Sequence, residues 1–225
     1  MYYEPQIFEN RRDAGKKLGK LVATKKYNAP VVLALPRGGV TVADEVAHIL
    51  NAHLDVVIAR KVGAPGQAEF GIGAISENEI PIFHPSTMNY FDLTKLQVVS
   101  TVDSEINELK RRILHYRQGR SLESMSGKTI IVVDDGLATG VSAAAAGKFL
   151  RTLKPQKLIL AVPVAPHEID PFVSEQFDDI VCLYQPLNFS AVGIWYEDFT
   201  QVEDNEVMKI LEKYNPDLSR EVSHG

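Results

Sequence analysis

Thr129-Ile130-Ile131-Val132-Val133-Asp134-Asp135-Gly136-Leu137-Ala138-Thr139-Gly140-Val141-Ser142 runs from an apolar segment through a carboxylate pair into a loop of small residues and the start of an Ala-rich helix. Thr129 to Val133 are all apolar or β-branched and read as a buried strand. Gly136 and Gly140 read as loop positions reaching backbone angles closed to other residues. Successive N–H groups in such a loop make an anion nest, and the helix from Val141 to about Leu153 adds the positive end of its dipole. Thr139 and Ser142 offer hydroxyl donors to phosphate oxygens. Asp134 and Asp135 repel phosphate but suit sugar hydroxyls, which are donors, or a hydrated Mg²⁺. The stretch lacks a Gly-Lys-Ser/Thr ending and lacks Gly-x-Gly-x-x-Gly, so it is neither a Walker A loop nor a dinucleotide fingerprint.

Other apolar runs extend the same pattern on either side. Pro30–Leu35, Asp55–Ala59, Leu158–Val162 and Ile180–Tyr184 read as strands. Asn10–Lys26, Val40–Leu50, Lys95–Gln118 and Glu203–Tyr214 carry apolar residues at helical spacing. The third of these places Leu96, Val99, Val102, Ile106, Leu109, Ile113 and Tyr116 on one face. Buried strands alternating with helices predict an α/β fold, a mostly parallel twisted sheet with helices on both faces, in one domain over residues 1–225. The core is expected over about 30–164, an irregular lid or arm over about 62–92, and a hood and closing helix over about 185–214. Ile80-Pro81-Ile82-Phe83, after a polar turn, suggests a hairpin within the arm.

Ligands of such sheets bind outside the carboxyl ends of the strands. The first strand ends in Pro36-Arg37-Gly38-Gly39, a second anion-binding turn with a forked cation. The next ends in Arg60-Lys61, followed by a Gly- and Pro-rich stretch from Val62 to Ile75 that reads as a closing lid. Glu69 is the only charge between Gly63 and Ala74. Val164 and His167 follow a later strand. Trp195 and Tyr196 lie in an aromatic C-terminal segment, and aromatic rings stack on planar bases as readily as they fill cores.

The 225 residues are 45% hydrophobic with a net charge of −5, which allows one sizeable core and gives no global field for nucleic acid or an anionic membrane. No apolar run approaches a membrane span, and Met1 to Pro5 lacks signal-peptide character, so a cytoplasmic protein is expected. The single cysteine, Cys182, lies in an apolar run and reads as an inert thiol. No histidines stand at zinc-ligand spacing.

Val132-Val133-Asp134-Asp135-Gly136-Leu137-Ala138-Thr139-Gly140 resembles the ribose-phosphate signature of type I phosphoribosyltransferases. The resemblance implies that Asp134 and Asp135 contact the ribose hydroxyls of phosphoribosyl pyrophosphate (PRPP), with Mg²⁺ held indirectly through water. It implies that Gly136, Ala138, Thr139, Gly140 and Ser142 hold the 5′-phosphate. It further implies that Arg37, Gly38, Gly39, Arg60 and Lys61 face pyrophosphate, and that the turn at Arg37 often carries a non-proline cis peptide. Asp134, Asp135, Arg37, Lys61 and Glu69 are then the catalytic candidates, with Val164, His167, Trp195 and Tyr196 as candidates for the acceptor. Several family members carry Lys or His in the lid, and residues 63–74 here carry neither. Three readings stand: a transferase acting on a nucleobase or other amine, a regulatory protein that binds PRPP without turnover, and an enzyme acting on ribose phosphates. The resemblance also implies small-molecule partners, without nucleic acid or membrane, and dimerisation is common in the family.

Overall fold

The computed structural model describes residues 7–215, except for the side chains of Ala68, Glu69 and Lys95. The main sheet has five parallel strands in the order β2-β1-β6-β7-β8. These are β1 (Pro30–Ala34), β2 (His53–Val56), β6 (Thr129–Val133), β7 (Lys157–Val164) and β8 (Asp179–Tyr184). A smaller antiparallel sheet comprises β3 (Ala59–Ala64), β4 (Gln67–Ser76) and β5 (Ile82–Phe83). Among the described residues, no helix is long and apolar enough to cross a membrane.

Burial on both faces explains why the main strands are continuous apolar runs. Val32, Ala34, Ile131, Val133, Ile159 and Ala161 face one core, with α1 (Arg11–Val22), α2 (Gly38–Leu50) and α7 (Asp204–Tyr214). Val31, Leu33, Ile130, Val132, Leu158 and Leu160 alternate to the other face, under α5 (Val141–Thr152). β6 is central: Val132 registers with Leu33 on one side and Leu160 on the other. The acid pair therefore emerges mid-sheet, where neighbouring strand ends can converge on a ligand. Asn10 caps α1 by accepting the Asp13 N–H at 3.0 Å.

The expected irregular lid is instead an ordered hairpin. β3 and β4 pair from Ala59↔Ser76 to Ala64↔Gln67, and Pro65-Gly66 forms the turn. Glycine and proline suggested irregularity, yet Val62, Ile72, Ala74 and Ile75 are fully buried. The glycines have local reasons. Gly66 takes φ +75° in the turn, and a Cβ on Gly73 would lie 2.2 Å from the Ile82 carbonyl oxygen of the neighbouring strand. Small residues Ala143 to Ala146 on α5 are buried and leave room for the arm to pack closely. At the base, Glu77 accepts the Ile58 N–H at 2.9 Å and pairs with the buried Arg117, while Ser76 Oγ donates to the Ile58 carbonyl at 2.8 Å.

The expected helix over Lys95–Gln118 forms as a 3₁₀ turn, Lys95–Val98, leading into α4 (Val99–Arg117). Val102, Leu109 and Tyr116 are buried as the spacing predicts, whereas Leu96 and Val99 are exposed because the first turn overhangs the core. The sequence reading missed two short helices, α3 (Pro85–Tyr90) and α6 (Pro171–Ser174). Both begin with proline, which is tolerated in the first turn of a helix.

Candidate functional site

At the carboxyl end of β6, Asp134 Oδ1 accepts the N–H of Asp135 at 2.8 Å. Asp135 Oδ2 accepts from Arg11 Nε of α1, also at 2.8 Å. The same guanidinium donates to the Thr200 carbonyl at 2.7 Å and lies 3.8 Å over the centre of the Phe199 ring. Tyr196 Oη donates to the Asp135 carbonyl at 2.5 Å, fixing the backbone beneath the pair. Burial, with Asp135 beside it, pushes the Asp134 carboxyl well above the usual carboxylate range. Burial also raises Asp135, opposed mainly by Arg11.

Gly38 and Gly39 are pressed against these acids. A Cβ on Gly38 would fall 1.9 Å from Asp135 Oδ2, and one on Gly39 would fall 2.9 Å from the Asp134 Cα. Only glycine lets the start of α2 approach the end of β6 this closely. The Pro36–Arg37 peptide is cis, as the resemblance implied. The Arg37 side chain turns toward α7, 3.7 Å from Asp204 and 3.9 Å from Glu203, and lines neither of the two clefts described next.

Those two clefts meet at Lys61 and Ser142. One, about 330 Å³, is walled by Arg11, the acid pair, the loop Gly136–Ala143, Val192 and Phe199. It brings together Asp134, Asp135, Gly136, Ala138, Thr139, Gly140 and Ser142. The other, about 670 Å³, is lined by the Pro36 turn, Arg60, the arm from Gly63 to Gly66, and Thr101, Glu105 and Arg112 of α4. Lys61 and Ser142 line both. Arg60 Nε is taken by Glu105 at 2.8 Å, whereas the exposed Lys61 makes no ion pair among the described residues.

The loop glycines differ in kind. Gly140 has φ +70° and caps α5, as read from the sequence. Gly136 does not need a left-handed backbone. Its constraint is space, since a Cβ there would lie 2.4 Å from Val192.

The acceptor candidates line neither cleft. Val164, Trp195 and Tyr196 are buried together with Phe8 and Ala14 in a third core cluster, which leaves the two rings no free face for a base. The aromatic that does line the cleft with the acid pair is Phe199. His167 is exposed and lines none of the clefts described here. The backbone of Glu69 lies in β4, and its side chain is outside the described residues. Cys182 is held inert, its thiol pushed up to about 11 by burial.

Sequence reasoning missed Arg11, Phe199 and Arg112. Arg11 comes from a helix far from the motif in the chain, and nothing local marks it. Arg112 carried a signal, the polar spacing Thr101, Glu105, Glu108 and Arg112 beside the apolar stripe of α4.

Comparison with known proteins agrees with this architecture. The phosphoribosyl transferase domain family matches residues 5–184. A Mycobacterium tuberculosis protein, provisionally described as a phosphoribosyl transferase, is 38% identical over 95% of this chain. The chain spans about half (48%) of that relative's length. The crystal structure of TT1426 from Thermus thermophilus is similar with a TM-score of 0.77 and 39% identity, covering 92% of this chain and 98% of that one. The chain belongs to the phosphoribosyl transferase domain family.

Proposed function

We propose that the protein binds PRPP with Mg²⁺ and transfers its 5-phosphoribosyl group to a nitrogen acceptor, a nucleobase or another amine, releasing pyrophosphate. The observation that carries this reading is the sharing of Lys61 and Ser142 between the acid-and-loop cleft and the basic cleft. A ligand with a phosphate at each end and hydroxyls between them matches that order of groups.

In this reading the loop N–H groups and the Thr139 and Ser142 hydroxyls hold the 5′-phosphate. Asp134 and Asp135 accept from the ribose hydroxyls and stabilise positive charge growing on the ring. Lys61 lies beside the leaving pyrophosphate. The C1–O bond to pyrophosphate breaks as the acceptor nitrogen bonds to C1 with inversion, and the acceptor gives up its proton. The acids fit Mg²⁺ only as an indirect site. One oxygen of each already accepts a hydrogen bond, and among the described residues no three His, Cys, Asp or Glu side chains cluster as ligands. When bound, the ion offsets negative charge on pyrophosphate.

A second reading, PRPP binding without turnover, is favoured by one observation. Arg60 and Arg37 are already turned to carboxylates, and residues 63–74 hold no Lys or His. Calorimetry of PRPP binding with Mg²⁺, followed by a pyrophosphate-release assay against nucleobases and simple amines, separates the two. Binding with release for one acceptor supports transfer, binding with no release supports the second reading, and no binding overturns both.

A further inference from the structure

The basic cleft contains a cation that no motif supplies. Helix α4 places Thr101, Glu105, Glu108 and Arg112 at i, i+4, i+7 and i+11, one stripe along the helix. The neighbouring stripe, Val102, Leu109 and Tyr116, is buried in the core and fixes the rotation of the helix. The polar stripe therefore faces the arm, where Thr101, Glu105 and Arg112 line the cleft of about 670 Å³ together with Lys61.

Within that cleft the cations are not equivalent. Arg60 is occupied by Glu105 at 2.8 Å. Arg112 donates only its Nε, to Glu108 Oε1 at 2.7 Å, and its two terminal nitrogens have no hydrogen-bond partner among the described residues. Glu108 is also gripped by Arg111 at 2.7 and 2.9 Å. Hydrogen bonds from Arg111, then Arg112, hold Glu108 down at about 2, so it remains a carboxylate and keeps the Arg112 fork oriented at any working pH. A guanidinium anchored by one edge presents the other edge, the geometry suited to two phosphate oxygens.

We propose that Arg112 is a further pyrophosphate-binding residue, supplied from the fixed helix α4 in place of the cations that the arm lacks. The inference rests on the donor reading above. Glu108 acts through Arg112 and is a positioning residue.

The test compares wild type, Arg112→Met and Arg112→Lys in binding PRPP with Mg²⁺, pyrophosphate with Mg²⁺, and ribose 5-phosphate, alongside thermal denaturation. Loss of a charge-assisted pair predicts a roughly tenfold or greater weakening of PRPP and pyrophosphate for Arg112→Met. Ribose 5-phosphate affinity and Tm should stay at wild-type values, and Arg112→Lys should recover part of the loss. Should Arg112→Met fail to fold, Arg112→Lys reads the same comparison, because losing the fork alone weakens pyrophosphate and spares ribose 5-phosphate. Unchanged pyrophosphate affinity, or an equal loss for ribose 5-phosphate, overturns the inference while the donor reading stands. Wild type that binds no PRPP overturns the donor reading, and the inference with it.

Discussion

Arg11 and Asp135 are 124 positions apart in sequence and form a 2.8 Å ion pair, with side chains only 10% and 17% exposed. The pair ties the first helix to the end of the central strand and supplies the counter-charge that the acid pair requires. Removing only the cation leaves an uncompensated carboxylate in a largely buried setting. Arg11→Met is expected to lower stability by about 3 kcal/mol at neutral pH. Arg11→Met combined with Asp135→Asn should recover much of that loss, because the orphaned charge is gone. Urea denaturation of wild type, both single variants and the double variant checks this, and additive losses in the double variant would contradict it.

Asp134 makes the site costly to the fold. Its carboxyl is raised, chiefly by burial and next by Asp135, so the native state holds a proton that the unfolded chain releases more readily. The stabilising contribution of that proton is complete below the unfolded value of about 3.9 and is lost as pH rises through the raised native value. Asp134→Asn keeps an oxygen for the Asp135 N–H and cannot ionise. Its Tm should exceed that of wild type at pH 8, and the difference should shrink toward pH 4. PRPP binding should fall sharply in the same variant, a stability–activity trade-off. Thermal scans at several pH values read the first effect, and a variant less stable than wild type at pH 8 would refute it.

Gly38→Ala places a methyl 1.9 Å from Asp135 Oδ2, so either the carboxylate or the start of α2 must move. The expected outcome is a clear drop in Tm together with loss of donor binding. Gly71 has a backbone open to alanine and nothing within 4 Å of the added Cβ, so Gly71→Ala should stay within about 0.5 kcal/mol of wild type. Equal behaviour of the two variants would show that the close approach of α2 to β6 is not a constraint.

The contrast between these positions explains what the sequence could reveal. The strand, acid pair, loop and helix were legible because they are contiguous and each step has a local physical signature. The parallel sheet followed from apolar runs that must be covered on both faces. The arm was misread because Gly63, Gly66 and Gly73 resemble loop composition, while their actual reasons are a bulge, a turn and a close strand contact. Trp195 and Tyr196 suit a binding surface or a core equally well, and only tertiary packing against Phe8 decides for the core. Arg11 and Phe199 enter their cleft through long-range packing, which no local spacing encodes, whereas the stripe that carries Arg112 is visible along α4 and only the packing of that helix brings it to the other cleft.

Lys61 separates function from stability most cleanly. Its side chain is exposed, makes no ion pair among the described residues, and lines both clefts at the point where they meet. It therefore contributes little to the folded state, and Lys61→Gln should change stability by no more than about 0.5 kcal/mol. Toward a doubly phosphorylated ligand the same ammonium is a charge-assisted donor, worth about 1.5–3 kcal/mol, or roughly a 10- to 100-fold loss in PRPP affinity when removed. Lys61 also works against the burial that raises Asp134, so the variant should need higher pH to reach its best donor affinity. Calorimetric titration with PRPP and Mg²⁺ across pH 6 to 9 reads both effects, and unchanged affinity with unchanged stability would remove Lys61 from the site.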